Sequence, residues 1–463
     1  MSSRLLNGLA FLSLLVASCF VFAPALAADT NAWREWASVA WRYYQPGVGV
    51  ETNSGLHRGT LDWHYITDWD VGSYISAIID AEALGIVQKS GTWGADYRLD
   101  KVLVFLENRP LRSEDGLPYW AYQSANGLPA TDQSRLVTDG ADAARLLVSL
   151  DRVRKSHPDL TGRVDAIVDR MRGAYQRSFI KNGGVGSGGF YAYYYALGYD
   201  AFGFDVSVTL REMQRLSGLT QLNVYGQLLP PTDITSEPII LAMLELSDRV
   251  DPLFADYALR IYKAQEERYN LTGALTAWSE GATDISPYYQ YEWIVHTTGE
   301  QSPKLWKIVG PSQSDIDSGQ SLVVYAKVAF AFHALYSTAY TMTLIQKLLD
   351  TTQSNSGFRE GIKERTGEPV GSCSIWGCWP IQDKTNSIII EAARYASITV
   401  PEFHFPQLLI LVLFLAVPLA LRRRPTIVSA RRSDLGDGVP RISRRSPNPN
   451  LGLQRQDNGA DSL

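Results

Sequence analysis

Apolar residues recur at helical spacing along most of the chain, and polar punctuation divides them into about ten helices. In Trp33 to Tyr44, the residues Trp33, Trp36, Val39, Ala40 and Tyr43 share one face; in Asp70 to Val87 the buried stripe is Ile75, Ile78, Ile79, Ala81 and Ala83. The same period predicts helices over Leu99 to Leu106, Asp142 to Val153, Leu160 to Phe179, Phe202 to Leu216, Pro238 to Leu246, Asp251 to Tyr269, Ser321 to Leu349 and Thr385 to Tyr395. From Val323 to Tyr336 the chain is almost continuously apolar, the pattern of a helix buried all round. Extended segments are few: Gly189 to Tyr195 and Gly357 to Ile362 read as small hairpins.

Several helices open in the same way. Thr67-Asp68-Trp69-Asp70, Thr138-Asp139-Gly140-Ala141-Asp142, Thr232-Asp233 through Glu237-Pro238, and Thr385-Asn386 each precede an apolar run. Such residues cap helices by accepting hydrogen bonds from first-turn amides, and carboxylates there also sit at the positive end of the helix dipole. Connections alternate as well, from the long loop between Leu106 and Asp142 to the short turn at Ser156 to Leu160. Long loops into the capped helices and short turns elsewhere suit a ring of helical hairpins whose inner helices all start on one face. The simplest such architecture is an all-α, α/α toroid, with small β-hairpins on its rim. Its acidic helix ends would then empty into one cleft.

Composition adds a surface character to that cleft. With 12 Trp, 24 Tyr and 15 Phe the chain is rich in aromatic rings. The net charge is −5, but the residues after Leu421 carry nine Arg against four Asp, so everything before them is more acidic still. An acidic folded part excludes nucleic acid as a partner. Arg4, the apolar run Leu5 to Phe22 and the small-x-small Ala25-Leu26-Ala27 read as a signal peptide over residues 1–27. Val16-Ala17-Ser18-Cys19 also fits a lipoprotein box, but the chain stays apolar beyond Cys19, which favours cleavage after Ala27. Residues 404–421 form an apolar stretch followed at once by Arg422-Arg423-Arg424, which predicts a transmembrane helix with the basic tail, residues 422–463, on the cytoplasmic side. The expected protein is exported and membrane-anchored, facing the periplasm or the exterior.

Once the leader is removed, Cys373 and Cys378 remain, and in an oxidising compartment they close a small disulfide loop; two free thiols is the other reading. The neighbouring Trp376 and Trp379 make either a sugar platform or a plug over the core. No residue spacing suggests a metal site, and no cofactor is expected. Gly184-Val185-Gly186-Ser187-Gly188-Gly189 matches a dinucleotide fingerprint but lacks the preceding strand and following helix that the chemistry requires, so it reads as a loop.

The segments Ala40-Trp41-Arg42-Tyr43, Thr67 to Tyr74, Thr235-Ser236-Glu237-Pro238, Ala277-Trp278-Ser279-Glu280-Gly281, Gly357-Phe358-Arg359-Glu360-Gly361 and Thr385-Asn386 to Ala392 together resemble the bacterial domain of unknown function 3131 family, over roughly residues 31–398. That resemblance implies a glucoamylase-like (α/α)6 barrel of the kind used by glycosidases, including enzymes acting on β-1,2-glucans. It brings no catalytic pair with it.

The residues themselves supply candidates. Splitting a glycosidic bond takes two carboxyl groups, one protonated to donate to the leaving oxygen and one ionised as nucleophile or base. Glu280 sits in a Ser/Gly/Thr stretch between aromatics and is the expected general acid; its bland alternative is a loop carboxylate bonded to backbone amides. Asp70, Asp139 and Glu237 are candidate partners, each equally readable as a helix-cap acid. Asp68, Trp69, Asp142, Trp278, Tyr288, Tyr289, Glu360, Trp376 and Trp379 complete the expected sugar-binding surface. Two functions follow: a glycoside hydrolase or transglycosylase acting on a polysaccharide or oligosaccharide, or a non-catalytic glycan-binding or envelope-assembly protein on the same toroid.

Overall fold

Alternation along the chain closes a ring of helices in the computed structural model, which describes residues 30–130, 136–284, 286, 288–311, 314–317, 322–371 and 381–399. In chain order the helices are α1 (Thr30–Trp41), α2 (Asp68–Ala83), α3 (Ala95–Asn108), α4 (Gly140–Ser156), α5 (Thr161–Phe179), α6 (Gly189–Asp200) and α7 (Ser207–Leu210). There follow α8 (Glu212–Ser217), α9 (Glu237–Glu245), α10 (Pro252–Thr272), α11 (Ala326–Tyr336), α12 (Ala339–Thr352) and α13 (Asp383–Thr399). The inner ring is α2, α4, α6, α9, α11 and α13, each packed on the next, with α13 returning to α2. Outside it α1 packs on α13, α3 on α2, α5 on α4, α8 on α6, α10 on α9 and α12 on α11. The expected all-α toroid is therefore the observed architecture.

Hydrophobicity sorts the two layers. Outer α5 buries one stripe, Val164, Ile167, Val168, Met171, Ala174 and Tyr175, whereas α2 is buried from Asp68 to Ala81 and α11 from Ala326 to Ala334. Small residues let the inner helices approach. A Cβ at Gly198 of α6 would lie 2.6 Å from the Ala144 carbonyl of α4, and one at Gly72 of α2 would lie 3.0 Å from that of Arg145.

The interior of the ring is tied by charge as well as by oil. Arg145 of α4 pairs with Glu245 of α9 and, at 3.2 Å, with Glu391 of α13, while its Nη1 also donates to Tyr194 of α6. Arg152, one further stretch along α4, reaches Asp80 of α2 at 2.7 Å and Glu245 at 3.3 Å. Five of the six inner helices thus share one buried ion network.

Local departures from the sequence expectation have identifiable causes. Gly189 to Tyr195 is helix, not strand: its aromatic run is buried on nearly every side, so it shows neither period clearly. The long helix expected over Ser321 to Leu349 loses its start, where Val323–Tyr325 is a strand paired with Gly361–Lys363, and then divides, because Ser337 turns left-handed at φ +46° and Thr338 starts α12 with a reciprocal cap involving Thr341. Phe202 to Leu216 holds only the short α7 and α8. Between α10 and α11 lies a three-stranded antiparallel sheet, Glu280–Ala282, Tyr289–His296 and Lys304–Val309, where loop was expected. Among the described residues no helix is long and apolar enough to cross a membrane. The expected signal peptide, transmembrane helix, basic tail, Cys373–Cys378 disulfide, Trp376 and Trp379 lie outside the described residues.

Candidate active site

The starts of the inner helices bring their polar side chains to one place, in two groups. The first group comes from α2, α4 and α13. Asp70 Oδ2 accepts the Thr67 amide at 2.8 Å while Thr67 Oγ1 accepts the Asp70 amide at 3.3 Å, a reciprocal cap. Asp139 Oδ1 accepts the amides of Ala141 and Asp142, each at 2.8 Å. Helix α13 begins two residues earlier than its Thr385-Asn386 signal, at Asp383, whose Oδ1 accepts the Lys384 amide at 2.7 Å and whose Oδ2 lies 3.1 Å from His57 Nε2. Lys384 Nζ sits 3.9 Å from Asp70 Oδ1 and over the rings of Trp69 and Tyr289, 5.7 Å and 5.9 Å from their centroids.

The second group comes from α9, α11 and the strands. Glu237 Oε2 receives Lys327 Nζ at 2.6 Å and the Ser279 hydroxyl at 2.7 Å. Glu280, at the start of its strand, is close enough to Glu237 and Lys327 for their charges to set its acidity. Glu360 Oε1 accepts the Thr385 hydroxyl at 2.7 Å, which ties this group to α13. Among the described residues Glu237 Oε1, Glu360 Oε2 and the Tyr325 hydroxyl are buried without a hydrogen-bond partner. Leaving such atoms unpaired costs about 1–3 kcal/mol each.

The two groups face one another. Tyr195 and Tyr291 each respond to Glu280, Asp139 and Asp142 together, and Lys384 responds to Asp70, Asp383, Glu280 and Asp142. Four half-buried tyrosines, Tyr191, Tyr195, Tyr289 and Tyr291, lie in the field of Glu280.

Burial and like charge push the acids upward. Glu280 is raised to about 7, by desolvation first and then by Glu237; Asp70 is raised to about 6 by desolvation and Asp383, with Lys384 opposing. Burial lifts Glu360 to about 7 and Asp383 to about 8, and raises Asp142 well above the usual range with help from Asp139. Burial lowers His57 to about 4, leaving a neutral imidazole beside Asp383. Burial also works against the charge on Lys384, but the surrounding carboxylates outweigh it and hold the ammonium protonated.

Access separates groups that could touch a substrate from groups that act on them. Glu237, Glu360 and Asp383 are fully buried and Asp70 is 3% exposed, whereas Glu280 is 7% exposed, Asp142 is half-buried and Asp139 is exposed. Several expectations are corrected by this geometry. Asp68 does not face the cleft: it is buried in an ion pair with Arg109 and accepts the Thr138 hydroxyl at 3.2 Å. Trp278 is buried edge-on against Trp306 beneath Arg268, so it is core. Tyr288 occupies the turn before the Tyr289 strand, at φ +67°. Glu280 lies in a strand rather than a loop, and Asp233 caps no helix but accepts the Thr297 hydroxyl at 3.0 Å.

Sequence reasoning passed over Asp383, Lys384, His57, Lys327, Tyr191 and Tyr195. The last two had a usable signal, since residues four apart share a helix face once Gly189 to Asp200 is read as helix. Among the described residues no group of three or more His, Cys, Asp or Glu is placed to hold a metal ion.

The raised pKa of Asp383 predicts a pH effect on stability. The folded state binds this proton more tightly than the unfolded chain, so its contribution is complete below about pH 4 and is lost as pH rises through about 8. Between those limits the urea midpoint of Asp383→Asn is expected to fall less steeply with pH than that of the parent. His57 titrates in the opposite sense and stays in both proteins. Equal slopes would mean that Asp383 does not take up the proton.

A sequence profile described as protein of unknown function DUF3131 matches residues 35–399. No functionally curated protein matches the sequence. Among solved structures, the chain resembles an endo-β-1,2-glucanase from Chitinophaga pinensis at 14% identity and TM-score 0.55, covering 80% of this chain and 94% of that one. It resembles an endo-β-1,2-glucanase from Talaromyces funiculosus at 13% identity and TM-score 0.56, covering 86% and 90%. A glucoamylase-like protein from Bacteroides caccae matches at 13% identity and TM-score 0.55, covering 81% and 97%. At such identities these likenesses establish the shared fold.

Proposed function

The chain belongs to the DUF3131 family of proteins of unknown function, and from that premise we propose that it is a glycoside hydrolase-like protein that cleaves a glucan, with Glu280 as general acid and Asp139 as its carboxyl partner. The observation that carries the reading is Glu280 itself. It is buried where the inner helix starts meet but keeps 7% exposure, more than Asp70, Glu237, Glu360 or Asp383, and burial together with Glu237 keeps it protonated to about pH 7. A general acid needs that combination of remaining access and a raised pKa. Asp139, exposed and anchored through one oxygen by two amides, stands on the opposite group. Glu237 and Asp70 do their work through the acids they flank, the first sealed against Lys327 and the second held in its cap. The half-buried tyrosines offer ring faces to the C–H faces of a sugar.

The related solved structures include enzymes whose substrate is β-1,2-glucan, which makes that linkage the first to test. The export and anchoring signals of the sequence would place the site on the outer side of a membrane. The purified chain is expected to release new reducing ends from at least one member of a panel of α- and β-linked glucans containing β-1,2-glucan. A second reading, glycan binding without cleavage, is favoured by Asp70 and Asp139 both spending an oxygen on helix caps. Retardation of the chain in glucan-containing gels with no reducing ends formed would decide for it, and neither response on any glucan would remove both.

A further inference from the structure

A groove of about 400 Å³ opens beside the first carboxyl group, between the start of α4, the end of α5 and the hairpin formed by Ile180–Lys181 and Gly184–Val185. That volume lies in the range of small-molecule sites. The hairpin carries the glycine-rich run that resembles a nucleotide fingerprint, yet its strand is two residues long and antiparallel, unlike the parallel strand of a nucleotide-binding unit. The run therefore needs another explanation.

Three features describe what the groove can hold. It is continuous with the acidic site, because Gly140 and Ala141 on its wall lie between Asp139 and Asp142, and Tyr195 on the same wall responds to Glu280, Asp139 and Asp142. It carries two half-buried rings, Phe179, tilted against Tyr175 at 5.6 Å, and Tyr195, tilted against Tyr191 at 5.7 Å. Gly186 on its wall sits at φ +71°, and a Cβ there would come within 3.1 Å of Ala192, so the glycine lets the hairpin pack closely on α6 beside Tyr195. Half-buried ring faces beside the Ser178 hydroxyl and the Lys181 side chain match a pyranose, which is apolar on its faces and hydroxylated around its edge.

We propose that this groove binds further sugar units of the substrate chain, so that the protein takes an oligosaccharide or polymer through a site extending past Asp139 rather than a terminal disaccharide. The inference rests on the glucan reading above and adds to it the length of substrate.

Titration calorimetry of the full chain with sophorose and with long β-1,2-glucan tests it. The parent is expected to bind the polymer about tenfold more tightly than sophorose, and Phe179→Ala should abolish that difference while leaving sophorose binding unchanged. Ser178→Trp, at an exposed position that fills the groove without touching the core, should do the same if loss of the Phe179 ring disturbs folding. Polymer affinity within twofold of the parent in both variants would overturn the inference and leave the glucan reading standing, as would equal affinity of the parent for the two sugars. Binding of neither sugar by the parent would overturn the inference together with the β-1,2 linkage, and the glucan panel above then decides the glucan reading separately.

Discussion

Turnover of the Glu280→Gln protein on its best glucan is expected to fall by about 10²–10⁴-fold, the range that a positioned general acid contributes. The amide keeps the size of the side chain but has no acidic proton to give to a leaving oxygen. The loss should appear in kcat, with the sugar still bound, because the tyrosines and Lys384 that surround the position are untouched. The parent's pH profile supplies an independent check. A general acid works only while protonated, so activity should decline as pH rises through about 7, where Glu280 ionises, and the residual activity of the glutamine variant should lack that descending limb. Replacing Asp139 by asparagine should cost turnover on a similar scale. Full activity in Glu280→Gln, measured as new reducing ends, would end the assignment of the acid.

Arg145→Met is expected to destabilise the fold by about 3–5 kcal/mol, the cost of breaking a buried pair from one side. Its guanidinium is fully buried and contacts α6, α9 and α13 from α4. Without it, among the described residues Glu245 keeps only Arg152 at 3.3 Å as a cationic partner, and Glu391, already raised to about 8 by burial and by Glu245, loses its Arg145 partner. The urea midpoint at neutral pH should drop sharply, and lowering the pH should recover part of the loss because both glutamates can then bury themselves neutral. A variant as stable as the parent would show that the network sets helix register without contributing net stability.

The difference between what was legible and what was not follows the range of the interactions. Thr67 and Asp139 act as caps within three residues of themselves, so their roles stand in the local order of side chains. Asp68 carries the same local signal as Asp70, yet it turns to Arg109, 41 residues away, and no pattern near it announces that partner. Tyr191 and Tyr195 were hidden for another reason: in a run aromatic on nearly every position the periods of strand and helix give no contrast. Trp278 looked like a sugar platform because of its polar neighbours, and proved to be core because Trp306 and Arg268 arrive from elsewhere.

The sequence by itself determined the helical repeat, the alternation of long loops and short turns, and the acidic helix starts, since each depends on residues a few positions apart. Those features suit a toroid with carboxylates on one face as the simplest architecture. Only the closed ring decided which carboxylate reaches solvent, which is sealed against lysine, and which holds its proton near neutrality. Those properties arise from burial and from charges brought together across hundreds of residues, as when Lys384 of the last helix settles beside Asp70 of the second.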